Sequence, residues 1–419
     1  MNAVRPRDHA GSANHLGGLA AAFGERLAPG VEVVERAAGL QVHQLAPVLD
    51  LGNSGSAPEL ALWASQGAAL RQRRIVAGPG SFSSTSTGGP SDDWALGPEL
   101  PQTSIVDRCA TRVMFPWLQM ALRRGIHHVW RLRADHGGLS LLVGVQGRLL
   151  RFDQPPGGRS SWSVALRYPG FDKPAQRGLL VDSRGRIWVA TYDRNLGRTL
   201  PVHLWRSDDG GQTFWICHSF GTNKVRHLHF IQEDPWDGSL WLGTGDRDHE
   251  CGLWRSSDGD TWRLIGGGSQ TWRAVGLAFG RDAIRWGTDA GRDASQFVNC
   301  AVRLDRRSGL HSLEQELQGP VHGVSTLPDG RTVLTTGCEG GNGRRSPRVH
   351  LWIGTLDGHW RELASWQRGV QPARLQYAVA HLVHGQEQSN DLWVQLRGTL
   401  SAALGIVRLR IPESANAKA

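Results

Sequence analysis

Short apolar runs alternate with polar turns from about residue 60 to residue 410, and few of the runs exceed the length of a strand. The alternation repeats on a larger scale. A turn carrying Asp, Gly or Ser leads into an aromatic or aliphatic strand that ends in small residues. It reads Asp182 to Thr191 around Trp188, Asp237 to Thr244 around Trp241, Ala283 to Thr288 around Trp286, and Asp329 to Thr336 around Leu334. Weaker copies are Leu139 to Gly144 around Leu142, Asp391 to Gln395 around Trp393, and Leu60 to Ser65 around Trp63. From Leu142 onward the anchors are 46, 53, 45, 48 and 59 positions apart. A four-stranded propeller blade occupies about 40–50 residues. The clearest unit has an alternating strand from Val225 to Ile231, a turn at Asp234 to Gly238, and strands at Leu240 to Thr244, Gly252 to Ser256 and Trp262 to Ile265. The pattern predicts an all-β chain, a β-propeller of four-stranded blades. Seven copies predict seven blades; six is the alternative, because the first unit is stretched.

The same reading divides the chain. Residues 31–412 form a single propeller, between a flexible tail at 1–30 and a short tail at 413–419. Residues 78–102, rich in Ser, Gly and Pro, read as a surface loop insertion. Phe115 to Gly125 reads as a short helix between blades. A strand near Val31 to Arg36 completes the last blade and removes free sheet edges.

Composition adds constraints. The chain has 54 glycines and 18 tryptophans, which suits tight turns and wide gaps between packed sheets. Its formal net charge is +9, with arginines spread along the blades. A basic balance favours an anionic partner. No compact nucleic-acid-binding signature is present, so nucleic acid is not the expected partner. The five cysteines are far apart and form no CxxC pair, which argues against a disulfide framework or a thiolate zinc site and suits a reducing compartment. The N-terminal apolar stretch is too weak for a signal peptide, and no segment is long enough to span a membrane. A cytoplasmic location is expected.

Ser207 to Phe214 (S-D-D-G-G-Q-T-F) and Ser256 to Trp262 (S-S-D-G-D-T-W) resemble the Asp-box, or BNR repeat, of the sialidase-like β-propeller superfamily. Thr355 to Trp360 is a degenerate third copy, and the resemblance covers about residues 126–409. It implies a tight hairpin between the third and fourth strands of a blade, on the face away from the functional mouth. It implies a structural role for Asp209 and Asp258. Relatives in that superfamily include hydrolases, sorting receptors and assembly factors, so the fold does not choose the function. The Arg-Ile-Pro motif of sialidases has no N-terminal counterpart; Arg410 to Pro412 lies at the far end. Tyr377 with Glu339 matches a nucleophile pair, without a matching acid/base aspartate.

If those hairpins mark one face, the loops between second and third strands, and the entries to the inner strands, share the other. That rule gathers Arg177, Arg226, Arg273, Trp272, His322, Arg374 and His127 with Tyr192, Asp246, Asp289 and Glu339. It also places His249 there. Arginines bind carboxylates bidentately, which suits a uronic or sialic acid. Trp272 is the expected sugar-stacking ring. His249, His322 and Tyr192 are the candidate proton-transfer groups, with Asp246, Asp289 and Glu339 as carboxyl candidates for a hydrolase. Asp246, Asp248, His249 and Glu250 are closely spaced, but a salt-bridged loop is the favoured reading. Neither metal nor cofactor is expected. The function read from these residues is a lyase or glycoside hydrolase acting on, or binding, an acidic oligosaccharide. The alternative is a non-catalytic propeller scaffold that binds protein or glycan, for example in polysaccharide assembly.

Overall fold

The computed structural model describes residues 24–47, 60–66, 69–75, 94–101, 126–132, 138–145, 147–169, 173–192, 194–294, 296–339, 346–370, 377–385, 391–401 and 404–412. Among them the chain is nearly all β, with three short 3-10 turns and no α-helix. No helix among the described residues is long and apolar enough to cross a membrane.

Consecutive strands form four-stranded antiparallel groups. The first comprises Gln41–Pro47, Leu60–Gln66, Ala69–Ile75 and Ala95–Glu99, and the second runs from Ile126–Leu132 to Ser161–Arg167. The groups that start at Lys173–Val181 and His227–Glu233 share one eight-stranded sheet through a single parallel pairing, Arg177 with Phe230. Further groups start at Ala278–Phe279 and Val321–Thr326. The last comprises Val379–Leu382, Asp391–Arg397 and Leu404–Arg410, and it borrows its outer strand, Glu32–Ala38, from the other end of the chain.

Polar links run from each group to the next. The Arg131 amide donates to Gln44 Oε1 (2.7 Å), a His128 ring nitrogen bonds the Pro174 carbonyl (3.0 Å), and the Val321 amide donates to the Thr288 carbonyl (2.9 Å). The Val42 amide donates to Gln395 (2.8 Å), and Gln44 pairs with His384, which joins last to first. The groups therefore close a ring, with first strands innermost: a β-propeller.

The core lies between neighbouring groups. Trp188 packs with Leu228, Ile231 and Leu242, and Trp63 packs with Val129, Leu141 and Val143. The second strand is sandwiched on both faces, which is why Trp63, Trp188, Trp286 and Trp393 are fully buried on that strand. The Asp-box segments are tight turns between third and fourth strands. Asp209 accepts from the amides of Gln212 and Thr213 and from the Thr213 hydroxyl (2.6 Å), while Gly210 and Gly211 take φ of 71° and 85°. Asp258 repeats the arrangement with Asp260 and Thr261.

Two sequence readings need correction. Ala95–Glu99 falls inside the expected surface loop, yet it is the outer strand of the first group, paired with Ala69–Ile75. Glu25–Leu27 falls inside the expected tail, yet it adds a fifth strand to Trp360–Gln367. Glu25 holds it there: its carboxylate accepts from Trp366 Nε1 (2.6 Å) and pairs with Arg36. Residues 115–125, expected to be helical, lie outside the described residues.

Candidate functional site

The face opposite the Asp-box turns opens into a cavity of about 630 Å³ at the ring centre. The starts of inner strands supply Arg177, Arg226 and His322. The ends of second strands and the loops after them supply Tyr192, Asp246, Asp289 and Glu339, and Arg273 follows a 3-10 turn, Gln270–Trp272. These are residues that the sequence assigned to one mouth, and the fold brings them to one wall.

Asp246 is the most connected group. It receives Arg226 (2.5 Å) and Arg273 (3.1 Å), and its Oδ1 lies 3.3 Å from His227 Nε2 and 3.7 Å from His229 Nε2. Burial pushes this carboxyl up, but the His227 contact and the charge of Arg273 prevail and hold it well below the carboxylate range. Arg273 also reaches Asp293 (2.9 Å), and its Nε lies 3.6 Å from Asp289.

Asp289 behaves in the opposite way. Burial, reinforced by the Glu339 carboxylate against the pull of Arg273, raises its pKa to about 7. Glu339 lies 3.6 Å from His322 Nε2. Burial lowers the His322 pKa, so the imidazole is neutral near pH 7. Partial desolvation in the cavity and neighbouring carboxylates push the phenols of Tyr192 and Tyr377 up, though both residues keep more than a third of their surface exposed, so both remain protonated donors.

Three other candidates stand elsewhere. His249 sits on the Asp248–Glu250 turn with its side chain 65% exposed, and it does not line the cavity. The turn is anchored through Glu250, which binds Arg198 (2.7 Å) and points His249 outward. Trp272 is 9% exposed, stacked on Trp286 with ring centres 5.5 Å apart and packed against the tilted ring of His311 at 4.8 Å, so it does not present an open face to a sugar. His127 lines a smaller cavity of about 100 Å³, with His43 and His128. Arg374 lies outside the described residues.

The cavity also holds groups that the sequence reading missed. Lys173, Gln176, His381 and Arg397 line both cavities, and His229 lines the larger. Arg397 is half-buried, and its desolvation lowers its pKa. Its Nε has no hydrogen-bond partner among the described residues, and neither has that of Arg226 or Arg273. His227 and His229 carried a visible signal: an His-x-His pair on a strand puts both rings on one face.

No known family profile matches the chain, and no curated protein does. Its fold is similar to a chain of a mitotic checkpoint complex, with 9% identity, a TM-score of 0.50, and coverage of 99% of this chain and 96% of that one. It is also similar to an ancestral GH74 enzyme (10% identity, TM-score 0.49, 90% of this chain and 46% of that one). A Hadza microbial sialidase matches at 14% identity and a TM-score of 0.42, over 82% of this chain and 73% of that one. At these identities the likeness concerns the fold alone.

Proposed function

We propose that this chain is a seven-bladed propeller, the eight-stranded sheet counting as two blades, whose central cavity takes an acidic saccharide. One observation carries the reading: the guanidinium groups of Arg226, Arg273 and Arg397 line one cavity. Converging guanidinium groups hold a ligand carboxylate with charge-assisted hydrogen bonds. A uronic or sialic acid unit supplies that carboxylate together with hydroxyls for Tyr192 and Tyr377.

The proton-transfer groups favour elimination. Arginine contact with the carboxylate acidifies the adjacent C–H. Neutral His322 takes that proton at Nε2, the electron pair forms the ring double bond, and the C–O bond to the leaving sugar breaks. Asp289, protonated up to about pH 7, returns a proton to the leaving oxygen.

Binding without turnover is the second reading. It is favoured by the Arg226–Asp246 and Arg273–Asp246 pairs, which already compensate two of the arginines. A binding screen of acidic against neutral oligosaccharides, followed by ultraviolet absorbance of any unsaturated product, tests both. Acidic-selective binding lost in Arg397→Ala supports the site, and an unsaturated product supports the lyase. Acidic-selective binding with no product leaves the scaffold reading. No acidic-saccharide binding at all removes both.

A further inference from the structure

The cavity wall carries a second kind of site. His227, His229 and Asp246 place one ligand atom each within a triangle of sides 3.1, 3.3 and 3.7 Å. A point equidistant from three atoms so placed lies about 2.0 Å from each, which is the length of a zinc–nitrogen or zinc–oxygen bond, about 2.0–2.2 Å. We propose that these three side chains bind a first-row divalent transition-metal ion.

Three further features support the assignment. The side chains are 0%, 2% and 3% exposed, so the site is built into the wall and is not a surface cluster. A ring nitrogen of His229, Nδ1, lies 2.9 Å from the Ala274 carbonyl. With Nδ1–H donating to that oxygen, the Nε2 lone pair faces the triangle, and a carbonyl in this position is the usual orienting partner of a metal-bound imidazole. His229 and Asp246 both line the cavity, so the ion's remaining positions face the space where a ligand would lie.

Two imidazoles and one carboxylate suit zinc or iron(II) over magnesium or calcium. Arg226 and Arg273 compete for Asp246 but do not exhaust it, because an ionised carboxylate accepts at about four lone-pair positions. An ion here would polarise a ligand oxygen beside the arginines. Its binding does not depend on the saccharide reading.

The test uses the full chain, stripped with a chelator and then titrated with Zn²⁺ by calorimetry and with Co²⁺ by visible absorption. The expected result is one saturable equivalent per chain, with Co²⁺ giving the ligand-field bands of nitrogen and oxygen donors. His229→Gln and Asp246→Asn should each weaken binding at least about tenfold. His322→Gln, outside the triangle, should leave it unchanged. Circular dichroism checks folding; if Asp246→Asn unfolds, His229→Gln decides. Arg226→Met, which removes a competing cation, should tighten binding by about tenfold. Absence of saturable binding by the folded wild type overturns the proposal, as does binding that His229→Gln leaves intact. No saccharide is present in the titration, so its failure is distinct from failure of the arginine site.

Discussion

Asp246 and Asp289 face the same cavity yet are driven apart. The first is stabilised as a carboxylate by His227 and two arginines; the second is held neutral up to about pH 7 by burial and the Glu339 charge. The sign for ligand binding follows. As pH rises through about 7, Asp289 gains a negative charge beside the ligand's own carboxylate. Affinity for an acidic saccharide should therefore fall at least about tenfold between about pH 6 and about pH 8, and Asp289→Asn should flatten the profile. Calorimetric titration across that range measures both. Trp272 permits a separate check. Its replacement by Ala should cost about 3–5 kcal/mol of stability in urea denaturation, as loss of a buried indole does. Saccharide affinity of the folded fraction should not change. A fall in affinity alone would return Trp272 to the ligand.

At the scale of elements, the second strands were legible because their burial is two-sided and periodic. Trp188, Trp241 and Trp286 recur at the same place in successive units. Edge strands carry no such signal. Ala95–Glu99 contains Gly97 and Pro98 and packs one face only, so its composition reads as loop. The mouth was legible for a topological reason: once the Asp-box turns fix one face, the second-to-third-strand loops must lie on the other. That rule placed Asp246, Asp289 and Glu339. It failed for His249 and Trp272, because the direction of a side chain on a 3-10 turn is set by its neighbours, Glu250 and Trp286, and not by strand order. The Asp-box turn gives a prediction of its own. Asp209→Ala removes the acceptor for the Gln212 and Thr213 amides and should cost about 1–2 kcal/mol in denaturation, with saccharide binding intact, since the turn lies on the opposite face.

At the scale of the whole molecule, the ring's centre is lined with histidines that burial keeps neutral. The pKa falls from 6.5 to about 3 in His128 and His384 and to about 4 in His227. The unfolded chain protonates these groups below about pH 6.5, whereas the folded chain does not, so acid favours unfolding. Each histidine should remove about 1–2 kcal/mol of stability by about pH 5, on a scale of about 1.4 kcal/mol per pH unit. Asp289 opposes this, since its folded form keeps a proton that the unfolded form loses above about pH 4, but it is one group against several. Urea midpoints at about pH 7 and about pH 5 should show the net loss, and His128→Gln should reduce it.

The shared last sheet also sets an order of events during synthesis. Glu32–Ala38 leaves the ribosome more than 360 residues before its partner, Leu404–Arg410. Over that interval the early strand has no docking place, and it must wait until the late strand emerges. A second nascent chain on the same message offers an identical place sooner. Exchange of this strand between neighbouring chains is therefore an expected misassembly, and it should grow with the density of ribosomes on the message.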